Sequence, residues 1–179
     1  MNQQLPTGLP PKKFAPAGFV VWAQNFPHEP QFLRGTKPKG SRAEGVRYEA
    51  KVQEFLRSKF PPESLISSPW FVFKSGSHAA RDRFCQPDAL LIDSEAKHVT
   101  IIEIKLQHTA FAWWQVRQLY EPVLRRVYTN HTFSALEIVK WLDPNIAFPE
   151  TFYYAESVED RGSGTSKFGV HIFDPRGRW

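Results

Sequence analysis

Two apolar segments of this chain carry charged side chains at positions where a buried strand would otherwise carry only apolar ones. Residues 86–92 have the sequence Gln-Pro-Asp-Ala-Leu-Leu-Ile, and after a polar turn residues 99–105 have the sequence Val-Thr-Ile-Ile-Glu-Ile-Lys. Because successive side chains of a strand alternate between its faces, Glu103 and Lys105 share one face. Charge buried in a sheet is unfavourable unless it is paired or bound to a metal. Asp88, Glu103 and Lys105 therefore predict a divalent-metal site beside a cationic neighbour.

A hairpin between these segments would bring the two carboxylates together. If Ile92 pairs with Val99 across the six-residue loop 93–98, Asp88 lies directly opposite Glu103. Opposed residues of an antiparallel pair have Cβ atoms about 4.5 to 5.5 Å apart, close enough for two carboxylates to share one cation. The polar residues of the loop favour a turn, although the sequence alone leaves the register open.

The tripeptide Glu-x-Lys occurs three times, beginning at Glu49, Glu95 and Glu103. Only the third lies in a strand pattern. The second falls in the polar turn, and the first falls in a helical pattern, where residues two apart point in different directions. For the third, the alternative to a metal site is the solvated outer face of an edge strand.

The Pro-Asp and Glu-x-Lys motifs resemble those of the PD-(D/E)xK nuclease superfamily, which includes restriction enzymes, resolvases and phage exonucleases. The resemblance implies an α/β fold, with a restriction-endonuclease-like α-β-β-β-α-β core built on a mixed central sheet. It also implies that Asp88, Glu103 and the carbonyl of Ile104 bind Mg²⁺, for which Mn²⁺ can substitute. Lys105 would then orient or activate the attacking water.

An amphipathic helix is predicted over residues 42–59, with the apolar stripe Tyr48, Val52, Phe55 and Leu56. Many members of the superfamily place a further metal-site Glu on the first helix, and Glu49, which borders the stripe, is the best match. Two alternatives stay open. Glu49 could instead be a surface partner of Gln53 at i,i+4, and Glu44 competes for the role, although it is better placed to stabilise the helix N-terminus.

A second, longer helix is predicted over residues 110–128, after Thr109 as a capping residue. Its buried stripe comprises Trp113, Val116, Tyr120, Val123, Leu124 and Val127. A proline inside a helix removes a backbone donor and costs about 3 kcal/mol. Because Pro122 lies in this segment, we expect the helix to be kinked or split near Glu121.

The resemblance also implies a polar residue, frequently Gln, that faces the metals from this second helix. Gln115 and Gln118 are the candidates, since both lie in its first half. The helicase-linked branch of the superfamily has the signature Gln-x-x-x-Tyr. Here Gln115 lies five residues before Tyr120 and Gln118 lies two before it, so neither matches that spacing.

The charge balance favours a nucleic-acid partner. The chain has 23 Lys and Arg against 18 Asp and Glu, which gives a net charge of +5. Neutralisation of phosphates by such residues, with release of counterions, is the usual source of sequence-independent affinity. The predicted DNA contacts flank the metal site in sequence and are Lys74, His78, Arg81, Arg83, His108 and Arg117. His108 could instead be a metal ligand or a polar residue at a strand end. A solvated basic surface is the alternative for the others and for Arg161, Arg176 and Arg178.

The chain is predicted to form one domain preceded by an arm. Residues 1–39 hold seven of the fifteen prolines and have no regular apolar period, so we predict an extended arm that packs on the domain or on a protein partner. The run Phe19–Trp22 could add a short strand. Residues 40–179 are long enough for a single core and form the predicted nuclease-like domain.

Three further strands are expected in the second half of the chain. Ala135–Trp141 predicts the fourth strand of the core, although the segment 134–137 could instead begin a helix. Residues 152–155 and 167–173 predict a C-terminal hairpin around the Gly-rich turn 162–166.

The single cysteine argues against a structural zinc site and against a disulfide framework. We expect Cys85 to be a small buried residue, in a reducing compartment. The sequence contains neither a membrane-spanning apolar run nor a signal-peptide pattern. We therefore expect a cytoplasmic protein without a membrane partner, in the host cytoplasm or the virion if the chain is encoded by a phage, which the resemblance suggests.

The sequence predicts a Mg²⁺-dependent deoxyribonuclease, with endo or exo cleavage left open. The alternative is a non-enzymatic nucleic-acid-binding or virion-assembly module on a degenerate nuclease fold.

Overall fold

The computed structural model describes residues 20–31, 41–76, 81–141, 152–155 and 167–174. These residues form a mixed α/β structure with two sheets. The larger sheet has six strands in the spatial order β2-β5-β6-β7-β9-β8. Its strands are β2 (Leu65–Ser67), β5 (Ala89–Asp93), β6 (His98–Gln107), β7 (Thr132–Trp141), β8 (Phe152–Ala155) and β9 (Lys167–Ile172).

The smaller sheet has the order β1-β3-β4 and is antiparallel throughout. Its strands are β1 (Val20–Phe26), β3 (Trp70–Ser75) and β4 (Arg83–Cys85). Phe71 and Phe73 point from one face of this sheet into the core and are almost fully buried, as apolar residues at alternate strand positions must be when one face is covered. Cys85 is buried in the same cluster, as the sequence predicted.

Strand β1 lies within the predicted arm. The apolar run at its start does add a strand, and Val20 lies in the core. Residues 20–26 of the predicted arm therefore pack on the domain, which is one of the two alternatives that the sequence left open for the arm. The rest of the predicted arm, residues 1–19 and 32–40, lies outside the described residues apart from the short segment 27–31.

One face of the larger sheet is covered by α1, which spans Ser41–Lys59. Tyr48, Val52 and Leu56 repeat at helical spacing and pack against Ile102 and Ile104 of β6. The Tyr48 hydroxyl donates to the carbonyl of Phe173 at 2.9 Å, so the helix is also tied to the chain beyond β9.

The other face is covered by a helical segment in three parts. These parts are α2 (Ala110–Gln115), a π-helical turn (Val116–Tyr120) and α3 (Glu121–Val127). The predicted split near Glu121 is confirmed, because the geometry changes there and Pro122 lies in the first turn of α3, where its missing N–H costs least. Thr109 stands at the N-cap position of α2 without a side-chain capping bond.

Strands β6 and β7 pair in parallel, joined by this helical crossover, whereas β5 and β6 form an antiparallel hairpin. Ala135–Trp141 is a strand, as one of the two interpretations predicted, and it begins three residues earlier, at Thr132. The C-terminal hairpin is also confirmed, since β8 and β9 pair antiparallel. Its Gly-rich turn lies outside the described residues. None of the helices described here is long and apolar enough to cross a membrane.

Candidate functional site

The predicted register of the β5–β6 hairpin is confirmed. Ile92 pairs with Val99, and the pairing continues to Ala89 opposite Ile102. The loop differs from the prediction: Asp93 and His98 form the last pair, so the turn contains four residues, 94–97. If this register is continued by one residue beyond the pair of Ala89 and Ile102, Asp88 lies beside Glu103. The tripeptides that begin at Glu95 and Glu49 lie in this turn and in α1, as expected.

Asp88 is fixed to β6 by its own side chain. Its Oδ2 accepts a hydrogen bond from the backbone amide of Ile104 at 2.6 Å, between the two charged residues of the Glu-x-Lys motif. Burial raises the pKa of Asp88, and the ammonium of Lys105 and the Ile104 amide offset this only in part. The carboxylate is thus oriented towards the motif but lacks enough positive charge around it.

The backbone of Asp88 is held from the opposite side. Its carbonyl accepts hydrogen bonds from the amide of Ser68 at 2.8 Å and from the side-chain amide of Gln53 on α1. Gln53 is 4% exposed. The alternative that made Gln53 a surface partner of Glu49 is therefore wrong, because this side chain is used inside the protein to position the Pro-Asp segment.

Glu103 and Lys105 form an ion pair through Oε1 of the glutamate. Glu103 has no exposed surface, and its Oε2 is buried without a hydrogen-bond partner among the described residues. Burial, with the nearby charge of Asp88, raises the pKa of Glu103 to about 8. Burial alone would lower the pKa of Lys105, but the Glu103 and Asp88 carboxylates outweigh it and raise that pKa. Lys105 therefore stays protonated at neutral pH.

Glu49 reaches the same site from α1. Its side chain is half-buried, and its pKa is raised by burial and by the charge of Asp88, while Lys105 lowers it in part. The competing Glu44 instead forms an ion pair with Lys140 of β7 at 2.8 Å. The helix thus places Glu49 where the charges of Asp88 and Lys105 act on it, whereas Glu44 binds Lys140.

A further buried carboxylate, absent from the predicted site, lies on β7. Glu137 pairs with Glu103 in the parallel register and is also without exposed surface. Its Oε2 is hydrogen-bonded to Nδ1 of His108 at 2.5 Å. The signal was present in the sequence, since Glu137 interrupts the apolar positions Phe133, Ala135 and Val139 as Glu103 interrupts those of β6.

His108 was predicted as a DNA contact, and the structure corrects this. It is 8% exposed and binds Glu137 in the interior. A side chain hydrogen-bonded there has little surface to offer to a phosphate.

The helical segment contributes Gln115 and Tyr120. The amide of Gln115 donates to the Tyr120 hydroxyl, which in turn donates to the carbonyl of Gln86 at 2.8 Å. Gln86 precedes Asp88 by two residues, so this chain of hydrogen bonds joins the helix to the Pro-Asp segment. Gln118 is half-buried on the π-helical turn, and the link to Tyr120 is made by Gln115.

The predicted basic contacts fall into three groups: residues of the described chain that are at least partly exposed, residues outside the described chain, and the buried Arg117. Arg81 is exposed, whereas Lys74 and Arg83 are half-buried on β3 and β4. Nζ of Lys74 lies 3.7 Å from Oδ1 of Asp82. The guanidinium of Arg83 donates to Oγ of Ser75 at 3.3 Å. His78 and the C-terminal arginines lie outside the described residues.

Arg117 forms the third group, and its assignment as a DNA contact is wrong. The residue is 2% exposed and forms an ion pair with the equally buried Glu121 at 2.5 Å. Arg125 binds the other oxygen of Glu121 at 2.7 Å. Glu121 thus binds both arginines within the helical segment, so Arg117 has a structural role.

The donor set suits a divalent cation in its chemistry. Carboxylate oxygens are the ligands that Mg²⁺ prefers, and Glu103 keeps one buried oxygen without a hydrogen-bond partner in the described part of the chain. As they stand, the described residues contain no group of three or more His, Cys, Asp and Glu side chains arranged to hold a metal ion. The carboxylates would therefore have to close around a cation from the present arrangement.

Comparison with protein-family models, curated proteins and solved structures finds no match for this chain.

Proposed function

We propose that this protein is a Mg²⁺-dependent deoxyribonuclease that hydrolyses phosphodiester bonds. The observation that carries the proposal is the hairpin register, which brings Asp88 beside Glu103, with Lys105 two residues further along the same face. Carboxylates can hold a metal ion that assists phosphodiester hydrolysis, and a lysine beside them can face the negatively charged phosphate. The proposal extends the resemblance to the PD-(D/E)xK nucleases.

The chain order of elements supports the same comparison. Two of the strands between the helices, β3 and β4, leave the larger sheet, since β3 pairs with β1 and β4 pairs with β3. From α1 to β7, the remaining elements in chain order are α1, the larger-sheet strands β2, β5 and β6, the helical crossover and β7, and β8 and β9 complete the same sheet. This order supports the comparison with the α-β-β-β-α-β core of the nucleases.

The π-helical turn supports it as well. Gln115 and Tyr120 are separated by one residue more than the Gln-x-x-x-Tyr signature of the helicase-linked branch. A π-helix closes its hydrogen bonds at i,i+5 rather than i,i+4, so the inserted turn restores the contact between the two side chains.

Each residue of the site has a distinct task in this proposal. Asp88, Glu103, the Ile104 carbonyl and Glu49 would hold the cation, with Mn²⁺ able to replace Mg²⁺. When bound, the cation would stabilise the negative charge that develops on the scissile phosphate and the leaving oxygen. Because Lys105 stays protonated, it would orient the attacking water and face the phosphate as a cation rather than act as a base. Arg81 and the half-buried Lys74 and Arg83 would contact the DNA backbone.

The test is a cleavage assay of the wild-type protein and the variants Asp88→Asn, Lys105→Ala and Glu44→Gln. Single-stranded, duplex and branched DNA would each be incubated with Mg²⁺, Mn²⁺, Ca²⁺ or a chelator. We expect cleavage with Mg²⁺ and Mn²⁺ only, a loss of about 100-fold or more in the first two variants, and wild-type activity in Glu44→Gln.

Equal activity of all four folded proteins would remove the assignment. DNA binding without cleavage under any metal condition would instead favour the non-enzymatic module.

A further inference from the structure

We propose that Glu137 is a further carboxylate ligand of the cation site and that His108 positions it. The inference rests on the proposed function, since it concerns the same site. It adds a carboxylate from a third strand to the ligands that the sequence motifs indicate.

The placement of Glu137 follows from strand pairing. Strands β6 and β7 are parallel, and Glu137 is the register partner of Glu103. Paired residues of adjacent strands direct their side chains to the same face of the sheet. The two carboxylates are therefore neighbours on the face that also carries Lys105.

Both carboxylates are incompletely satisfied. Neither residue has any exposed surface, and Oε2 of Glu103 and Oε1 of Glu137 are buried without a hydrogen-bond partner among the described residues. The remaining oxygen of each is used, by Lys105 for Glu103 and by His108 for Glu137. Buried carboxylates that lie side by side need positive charge between them. The ammonium of Lys105 supplies positive charge to one oxygen only, Oε1 of Glu103. A divalent cation would supply it to both of the oxygens that have no hydrogen-bond partner among the described residues.

His108 is placed to orient Glu137 rather than to bind the cation. Its Nδ1 lies 2.5 Å from Oε2 of Glu137, which fixes the carboxylate plane and leaves Oε1 as the oxygen available for coordination. Partners that orient a metal ligand in this way commonly change metal affinity by about 10- to 100-fold when they are removed. His108 is therefore a positioning residue.

The experiment is calorimetric titration of the full chain with Mn²⁺, supported by Mn²⁺ electron paramagnetic resonance. We expect Glu137→Gln to bind Mn²⁺ at least about 10-fold more weakly than the wild type. We expect His108→Ala to weaken binding by a similar factor. His108→Asn should recover part of the affinity, because the asparagine amide can still donate to Glu137. A role limited to folding would not produce this order.

The matched control is Glu121→Gln, which alters an equally buried carboxylate bound by arginines rather than facing Glu103. It should leave Mn²⁺ affinity unchanged. A folded Glu137→Gln variant that binds Mn²⁺ within about twofold of the wild type would overturn the inference while leaving the proposed function intact. Should that variant fail to fold, equal affinities of His108→Ala and His108→Asn would overturn it. A wild-type protein that binds no Mn²⁺ would instead reject the proposed function.

Discussion

Tyr120 accepts a hydrogen bond from the side-chain amide of Gln115, which lies five residues earlier in the same helical segment. An α-helix brings residues three or four apart together, not five. The contact exists because Val116–Tyr120 is a π-helical turn. Turns of this kind are frequent at functional sites, and this one places the Gln115 amide on the Tyr120 hydroxyl, which donates to the carbonyl of Gln86.

Replacement of Tyr120 by Phe is expected to destabilise the protein by about 1 to 3 kcal/mol. The ring and its packing are kept, but the Gln86 carbonyl loses its donor and the Gln115 amide loses its acceptor in a buried setting. Urea unfolding followed by circular dichroism measures the change. Tyr128→Phe is the matched control, since the half-buried Tyr128 contacts His131 near the end of α3, and it should change the free energy of unfolding by less than about 0.5 kcal/mol. Equal effects of the two replacements would contradict the prediction.

The metal-free protein should become less stable as the pH rises from 4.5, the ordinary pKa of a glutamate, to about 8, the pKa of Glu103 in the folded state. Burial, with the charge of Asp88, raises that pKa from 4.5 to about 8. The folded state therefore holds a proton that the unfolded state has released, and the stability that this proton provides is fully present below pH 4.5 and is lost by about pH 8. The midpoint of thermal unfolding, measured between pH 5 and pH 8.5 in chelator, checks the sign.

The variant Glu103→Gln isolates this contribution. It removes the titrating group and keeps the shape of the side chain, so the dependence on pH should become flatter in that range. A variant with the same slope as the wild type would show that other groups cause the effect.

Replacement of Glu121 by Ala should cost about 3 to 5 kcal/mol. It removes the carboxylate that pairs with Arg117 at 2.5 Å and leaves that guanidinium in the interior without it. The control is Lys140→Ala, which breaks the more exposed ion pair with Glu44 and should cost no more than about 1 kcal/mol. Chemical denaturation of both variants gives the comparison. A small effect at Glu121 would mean that Arg117 is not as enclosed as its 2% exposure indicates.

Part of the site could be predicted because its geometry is local. The hairpin that pairs Ile92 with Val99 follows from two apolar runs and a polar turn. Once that pair is fixed, the two-residue period of a strand decides the face of every other side chain. The split of the second helix was also predictable, because Pro122 has a local chemical effect that does not depend on the fold.

Other roles depended on contacts between distant segments. Gln53 is a polar residue that one interpretation of the sequence placed on the surface, and it is buried because its side-chain amide donates to the carbonyl of Asp88 on a distant segment. Arg117 is the exception, since the partner that binds it in the interior, Glu121, lies on the next turn of the same helical segment. Glu137 was missed as a site residue because its neighbour, Glu103, lies 34 positions earlier in the chain and joins it only through parallel pairing.

The sequence by itself determined the Pro-Asp and Glu-x-Lys hairpin, the buried stripes of the helices and the interruption at Pro122, since alternation, helical spacing and the missing proline donor act within a few residues. Only the tertiary structure decided that β3 and β4 leave the main sheet to form a second sheet with β1, that His108 turns inward to Glu137, and that a π-helical turn joins Gln115 to Tyr120. The physical reason is that a buried polar group must find its partner wherever the packed chain supplies one, and a parallel crossover supplies partners that sequence spacing does not reveal.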